Sequence, residues 1–165
     1  MERQTIQSRV TYVRLMSLQL RLANLWCDAA GGHQEALVQM AVGVINGERV
    51  IRSVSNPGLR SLAHPVPANA LGKCNLSSIA SATGLNRETV RRVVNRLIAA
   101  GPLARTDDGS IGFLTGWTQG PETHRLGQGQ LEEICRTVNL LLGDGVLSTG
   151  EGSLKLKPAH GHNDL

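Results

Sequence analysis

Between Arg87 and Arg96 the chain gathers its densest hydrogen-bonding chemistry: Arg87, Glu88, Arg91, Arg92, Asn95 and Arg96. A guanidinium donates two parallel bonds to a guanine edge or to a phosphate, an asparagine amide pairs with adenine, and a carboxylate accepts from the amino group of cytosine. On a helix, at about 100° per residue, the segment divides into faces. Val90, Val93, Val94 and Leu97 share an arc that must meet a core, Glu88, Arg92 and Asn95 point nearly opposite, and Arg91 and Arg96 lie on the flanks. Residues 86–99 hold four arginines against one glutamate, which concentrates here most of the net charge of +4 carried by the chain. The expectation is a helix that reads base edges with Arg87, Glu88, Arg92 and Asn95 while Thr89, Arg91 and Arg96 hold phosphates.

Local signals say how such a helix would be held. Thr83-Gly84-Leu85 supplies a turn in which Gly84 takes the left-handed conformation. Asn86 caps the helix that follows, with Glu88 in its first turn. Upstream, Ser77 or Ser78 is expected to cap a short helix with Leu76, Ile79, Ala80 and Ala82 as its apolar positions. Gly101-Pro102 closes the arginine helix, and residues 103–106 and 110–114 read as strands around the tight turn Asp107-Asp108-Gly109. This is the grammar of a helix-turn-helix followed by a hairpin wing. Two aspartates at the tip repel phosphate, so Arg105 at the base of the hairpin is the better phosphate contact.

The run Gly84-Leu85-Asn86-Arg87-Glu88-Thr89-Val90-Arg91-Arg92-Val93 resembles the recognition helix of the catabolite activator and fumarate-nitrate regulators, whose shared pattern is a turn glycine followed by Arg-Glu-Thr-Val-x-Arg. That resemblance implies base contacts from Arg87, Glu88 and Arg92 and a phosphate contact from Thr89. It is confined to residues 75–113. The first 70 residues look helical and too few for the sensor β-roll that precedes the motif in that family, so the sensor is not implied. The order of helices, winged motif and closing helix is similar to MarR-type regulators, whose terminal helices join two subunits. Pro102 departs from both families, which usually place an aliphatic residue there, and it removes one strand amide.

The expected fold is mainly α: a winged helix-turn-helix with N- and C-terminal helical extensions and a small β-hairpin wing. Residues 1–52 read as N-terminal helices for packing and dimerisation. The first, over 5–27, is apolar on a wide arc through Val10, Val13, Leu15, Leu18, Leu22, Leu25 and Trp26, which suits contact with its own domain and with an identical subunit. Residues 28–32 break it, and a second helix over 34–51 has weak points at Gly43 and Gly47. Residues 53–73, with Pro57, Pro65 and Pro67, read as a connector carrying at most a helical turn near 59–63, and residues 74–116 as the winged motif. Residues 117–149 read as a loop, over 118–129, and a closing helix over 128–142, and residues 150–165 as a frayed tail.

Composition narrows the alternatives. With 41% hydrophobic but only 2% aromatic residues, the core must be aliphatic. Arg3, Arg9, Arg14 and Arg21 interrupt any secretory signal, and no apolar run approaches the ~18 residues of a membrane span. Cys27, Cys74 and Cys135 are widely spaced without a paired motif, which fits neither a disulfide framework nor a zinc site, and a reducing cytoplasm is expected, with all three thiols structural. His33, His64 and His124 stand alone, and His160-x-His162 lacks a third ligand. Gly127-x-Gly129 follows no strand and lacks the third glycine of a dinucleotide site. With no catalytic constellation, the chain reads as a binder and not an enzyme, with no cofactor and no metal. The expected partners are double-stranded DNA and a second copy of the chain, on a palindromic site with half-sites about one helical turn apart. No convergent polar set marks an effector pocket. The alternatives are a winged-helix module that docks its arginine face on an acidic protein, and a replication-control protein of a plasmid or phage using the same DNA face.

Overall fold

The structure, a computed structural model, describes residues 9–52, 66–67, 71–150 and 153–156. Within them the elements are α1 (Arg9–Ala30), α2 (His33–Arg52), α3 (Leu76–Thr83), α4 (Arg87–Ala100), β1 (Leu103–Arg105), β2 (Ile111–Phe113), α5 (Pro121–Gly143), β3 (Leu147–Gly150) and β4 (Ser153–Leu156). The chain is mainly α, with two antiparallel two-stranded hairpins among the described residues. No helix there is long and apolar enough to cross a membrane. Two units are distinguished, Trp26–Gly127 and a second made of Met1–Leu25 with Gln128–Leu165.

In the first unit α2 packs against α3, α4 and β2, and α4 also meets α3 and β1. One aliphatic core results: Val38, Ala41 and Val42 from α2, Cys74 and Ile79 around α3, Val90, Val93, Val94 and Leu97 from α4, and Leu103 and Ile111 from the hairpin. Each larger side chain removed from water contributes about 1.5–3 kcal/mol. The hairpin pairs Leu103 with Phe113 and Arg105 with Ile111. The segment before α3 is laid against two neighbours, because Gly72 N–H donates to the Asn46 carbonyl and Ile111 N–H to the Cys74 carbonyl. A side chain at Gly72 would collide with the carbonyl of Ile45, so the close approach to α2 demands glycine there.

This arrangement corrects the division at residue 52. α2 belongs with α3 and α4 and not with the start of α1, since its apolar face supplies part of their core. Its glycines do not break it, and a β-carbon at Gly43 would meet the Phe113 ring at an ordinary contact distance of 3.5 Å. α1 also runs further than expected, to Ala30, where Gly31 and Gly32 both donate their N–H groups to the Cys27 carbonyl. α5 begins at Pro121, well inside the expected loop, because proline suits the first helical position and Glu122 follows it in the first turn. A short 3-10 turn, Trp117–Gln119, precedes it, and Gly127 and Gly129 lie within the helix.

In the second unit the N-terminal part of α1 and the C-terminal part of α5 run antiparallel. Arg14 Nη2 donates to Asp144 Oδ1 at 2.9 Å and Arg21 Nη1 to Glu133 Oε2 at 3.1 Å. The helices also approach at Leu25, whose methyl carbon would lie at an ordinary contact distance of 3.4 Å from a β-carbon at Gly129. Few side chains are covered: Thr11 on α1, and Thr137 and Leu141 on α5. The expected frayed tail is corrected at residues 153–156, which pair with β3 in the register Leu147 to Leu156 and Gly150 to Ser153. The alternation of Leu154 and Leu156 with polar neighbours was the strand signal. Residues 5–8 of the expected first helix, the connector over 53–65 and 68–70 with its helical turn, and residues 157–165 with His160 and His162 lie outside the described residues.

Candidate functional site

Capping fixes where α3 and α4 begin. The Asn75 side chain accepts from the N–H groups of Ser77 and Ser78 at 2.9 and 3.0 Å, while the Ser78 hydroxyl accepts the Asn75 N–H at 2.9 Å. The cap is therefore Asn75 and not either serine, because the box satisfies two backbone donors reciprocally. Gly84, at φ 72°, ends α3 in the left-handed conformation, and Asn86 caps α4 by accepting from Thr89 N–H at 2.7 Å. Gly101 closes α4 at φ 104°. Pro102 stands just ahead of β1 and its carbonyl accepts the Leu114 N–H at 3.0 Å, so the ladder loses no donor to the proline.

The turn of the β1–β2 hairpin is built around Asp108. Its Oδ1 accepts from the Thr106 hydroxyl at 2.6 Å and from Ser110 N–H at 3.1 Å, and Lys73 Nζ lies 3.4 Å from Oδ2. The Thr106 hydroxyl first, then the Ser110 donors and Lys73, hold its carboxyl far below the usual carboxylate range. Asp108 thus serves the turn itself.

On α4 the faces separate as the arginine spacing requires. Val90, Val93, Val94 and Leu97 are buried, while Arg87, Glu88, Arg91, Arg92, Asn95 and Arg96 are exposed and Thr89 is half-buried. The exposed set is not uniform. Arg91 grips Glu88 with both arms of its fork, Nη2 to Oε1 at 2.6 Å and Nε to Oε2 at 2.9 Å. That hydrogen bonding, with the charges of Arg91 and Arg92, keeps the Glu88 carboxyl below its ordinary value and raises the Arg91 guanidinium above its own. Arg96 reaches back to α2, where Glu35 Oε1 accepts from Nη2 at 2.5 Å and from Nε at 3.1 Å. Partial burial pushes the Glu35 carboxyl up, and the Arg96 bond, a backbone bond and the Arg96 charge together outweigh it and leave it lowered. The side chains of Arg87, Arg92, Asn95 and, on β1, Arg105 make no hydrogen bond or ion pair among the described residues.

Arg87, Glu88, Arg92 and Asn95 are thus brought together on one exposed helix, whereas Arg91 and Arg96 have carboxylates of their own. Glu35 was missed because 61 residues separate it from Arg96. The role of Asn75 was legible in the spacing Asn-x-x-Ser. A third contact had no sequence signal: Cys27 Sγ lies 2.8 Å from Nδ1 of His33, across the two glycines that join α1 to α2. Cys74 is buried, and burial raises its thiol while the Ser78 hydroxyl opposes the shift.

Comparison with protein-family models, with curated proteins and with solved structures gives no match.

Proposed function

We propose that the chain is a sequence-specific DNA-binding transcriptional regulator in which α2, α3 and α4 form a helix-turn-helix, β1 and β2 form its wing, and α4 enters the major groove. One observation carries this reading. Arg87, Arg92 and Asn95 stand exposed and without partners among the described residues on a helix whose opposite face is locked into a core. Such side chains are held ready for a ligand rich in acceptors, and duplex DNA presents them both at base edges and along its backbone. Arg87 and Arg92 read guanine and Asn95 reads adenine. Glu88, aligned by the Arg91 fork, accepts from cytosine. Thr89 and Arg105 hold phosphates, and Arg91 and Arg96 present to the backbone the guanidinium donors that their carboxylate partners leave over.

The active form is a homodimer. Val10, Val13, Met16 and Leu20 recur at three- and four-residue steps on α1 and remain exposed, as do Leu131 and Ile134 on α5. A second copy of the same surface covers this stripe, and its two-fold symmetry calls for a palindromic site. The protein acts in the cytoplasm and needs no cofactor.

Selection from a random duplex pool identifies the site. Affinity measured across a salt series is expected to fall with a log–log slope of about −0.9 per neutralised phosphate. Arg92→Ala is expected to cost about 1–3 kcal/mol on the selected site and to relax one base position, whereas Arg105→Ala weakens all sequences alike. Folded protein that binds no duplex at low salt refutes the reading, and tight binding to an acidic protein surface in its place would favour a docking module.

A further inference from the structure

The chain has only four aromatic residues, and three of them converge away from α4. Trp26 near the end of α1, Phe113 on β2 and Trp117 in the 3-10 turn line one small cleft together with Gln39 of α2 and Glu122 of α5. Aliphatic packing dominates the main core, so this gathering of rings is a separate feature. The turn that carries Trp117 is pinned by the Thr123 hydroxyl, which donates to the Trp117 carbonyl at 3.2 Å.

Gln39 gives the cleft its chemistry. It is 6% exposed, yet its side-chain amide makes no hydrogen bond among the described residues. Its amide atoms are not sealed from solvent, so they are open to a group that enters the cleft. An accessible amide beside three rings points to a ligand that supplies a donor or acceptor. The cleft measures about 50 Å³, against the roughly 10–15 Å³ by the same measure that one water needs, so it takes a group of a few heavy atoms and not a whole aromatic ring. At its exposed edge Glu122 carries a carboxylate, shared with Arg125 at 2.7–2.8 Å, which disfavours an anion.

We propose that this cleft binds a small alkylammonium head group bearing at least one N–H. The aromatic rings attract the cation and its methyl groups. Gln39 Oε1 accepts the N–H, and the Glu122 carboxylate, already paired with Arg125, adds only a shared acceptor at the rim. No residue of α4 takes part, so the site stands or falls separately from DNA binding.

The test follows the indole Nε1–H resonances of the two tryptophans in the full chain during titration with trimethylammonium chloride at constant chloride. tert-Butanol, a neutral alcohol one heavy atom larger and with an O–H donor, is titrated in parallel. A saturable shift with trimethylammonium is expected, with tert-butanol about tenfold weaker. Gln39→Leu keeps the volume and removes the acceptor, and is expected to weaken trimethylammonium about fivefold without lowering thermal stability. Trp117→Leu, read on the Trp26 resonance, is expected to weaken it to a similar extent and covers the case in which the α2 variant misfolds. A shift that never saturates, an equal response to tert-butanol, or unchanged binding in both variants overturns the proposal and leaves the cleft a packed satellite of the core.

Discussion

Around α4, eleven buried side chains from α2, α3, α4 and the first hairpin close one core, whereas along α1 and α5 only Thr11, Thr137 and Leu141 are buried, two of them hydroxyl-bearing. Both regions are made of amphipathic helices, and the difference lies in how much partner surface each arc receives. On α4 the four buried positions form a narrow stripe that α2, α3 and β1 cover. On α1 the apolar arc is wider, and Leu20 keeps 63% of its surface and Val13 54%. A helix with exposed charges and a covered apolar stripe is finished as a fold and open as a binding face. One with an exposed apolar stripe is unfinished until something apolar meets it.

Truncation should separate the two regions most sharply. Leu103→Ala opens a cavity in the closed core and is expected to cost about 2–5 kcal/mol, read by chemical denaturation of the full chain. A loss below about 1 kcal/mol would mean that the core is looser than its burial implies. The paired change Val13→Glu with Leu20→Glu is expected to weaken self-association about 10–100-fold in sedimentation velocity while leaving the secondary structure of each chain in place. Unfolding by that pair would show that α1 is needed inside the monomer, and the contrast would fail. The smallest effect belongs to Arg96→Ala, which releases the clasp between α4 and α2. Both partners are partly exposed, so the expected cost near neutral pH is below about 1 kcal/mol. Glu35 has a lowered carboxyl in the fold, so the unfolded chain binds more protons in acid and the stabilisation is present above the ordinary value of about 4.3. The gap between wild type and variant should therefore close as the pH falls through the lowered value, in thermal melts at stepped pH. A gap that widened in acid would remove Glu35 from the account.

Legibility in the sequence followed range. The Gly84 turn, the Asn86 cap, the four buried positions of α4 and the hairpin around Asp107-Asp108-Gly109 all came from neighbours within a few residues. Errors came where local signals competed. Pro121 reads as a loop residue, yet proline also opens helices, and Gly43 reads as a weak point, yet α2 runs unbroken through it. The site divided in the same way: placing Arg87, Glu88, Arg92 and Asn95 on an exposed face needed only the helical period, but the Glu35 partner of Arg96 and the burial of Gln39 were not legible.

By itself the sequence determined which residues of α4 face inward and which face outward, because a capped helix with a fixed period assigns every side chain its direction. Only the tertiary structure decided which outward arginines stay without a partner among the described residues, that α2 belongs with α4, and that Gln39 is buried beside three aromatic rings. Those outcomes depend on segments tens of residues apart meeting at a few ångströms, and no local periodicity encodes that distance.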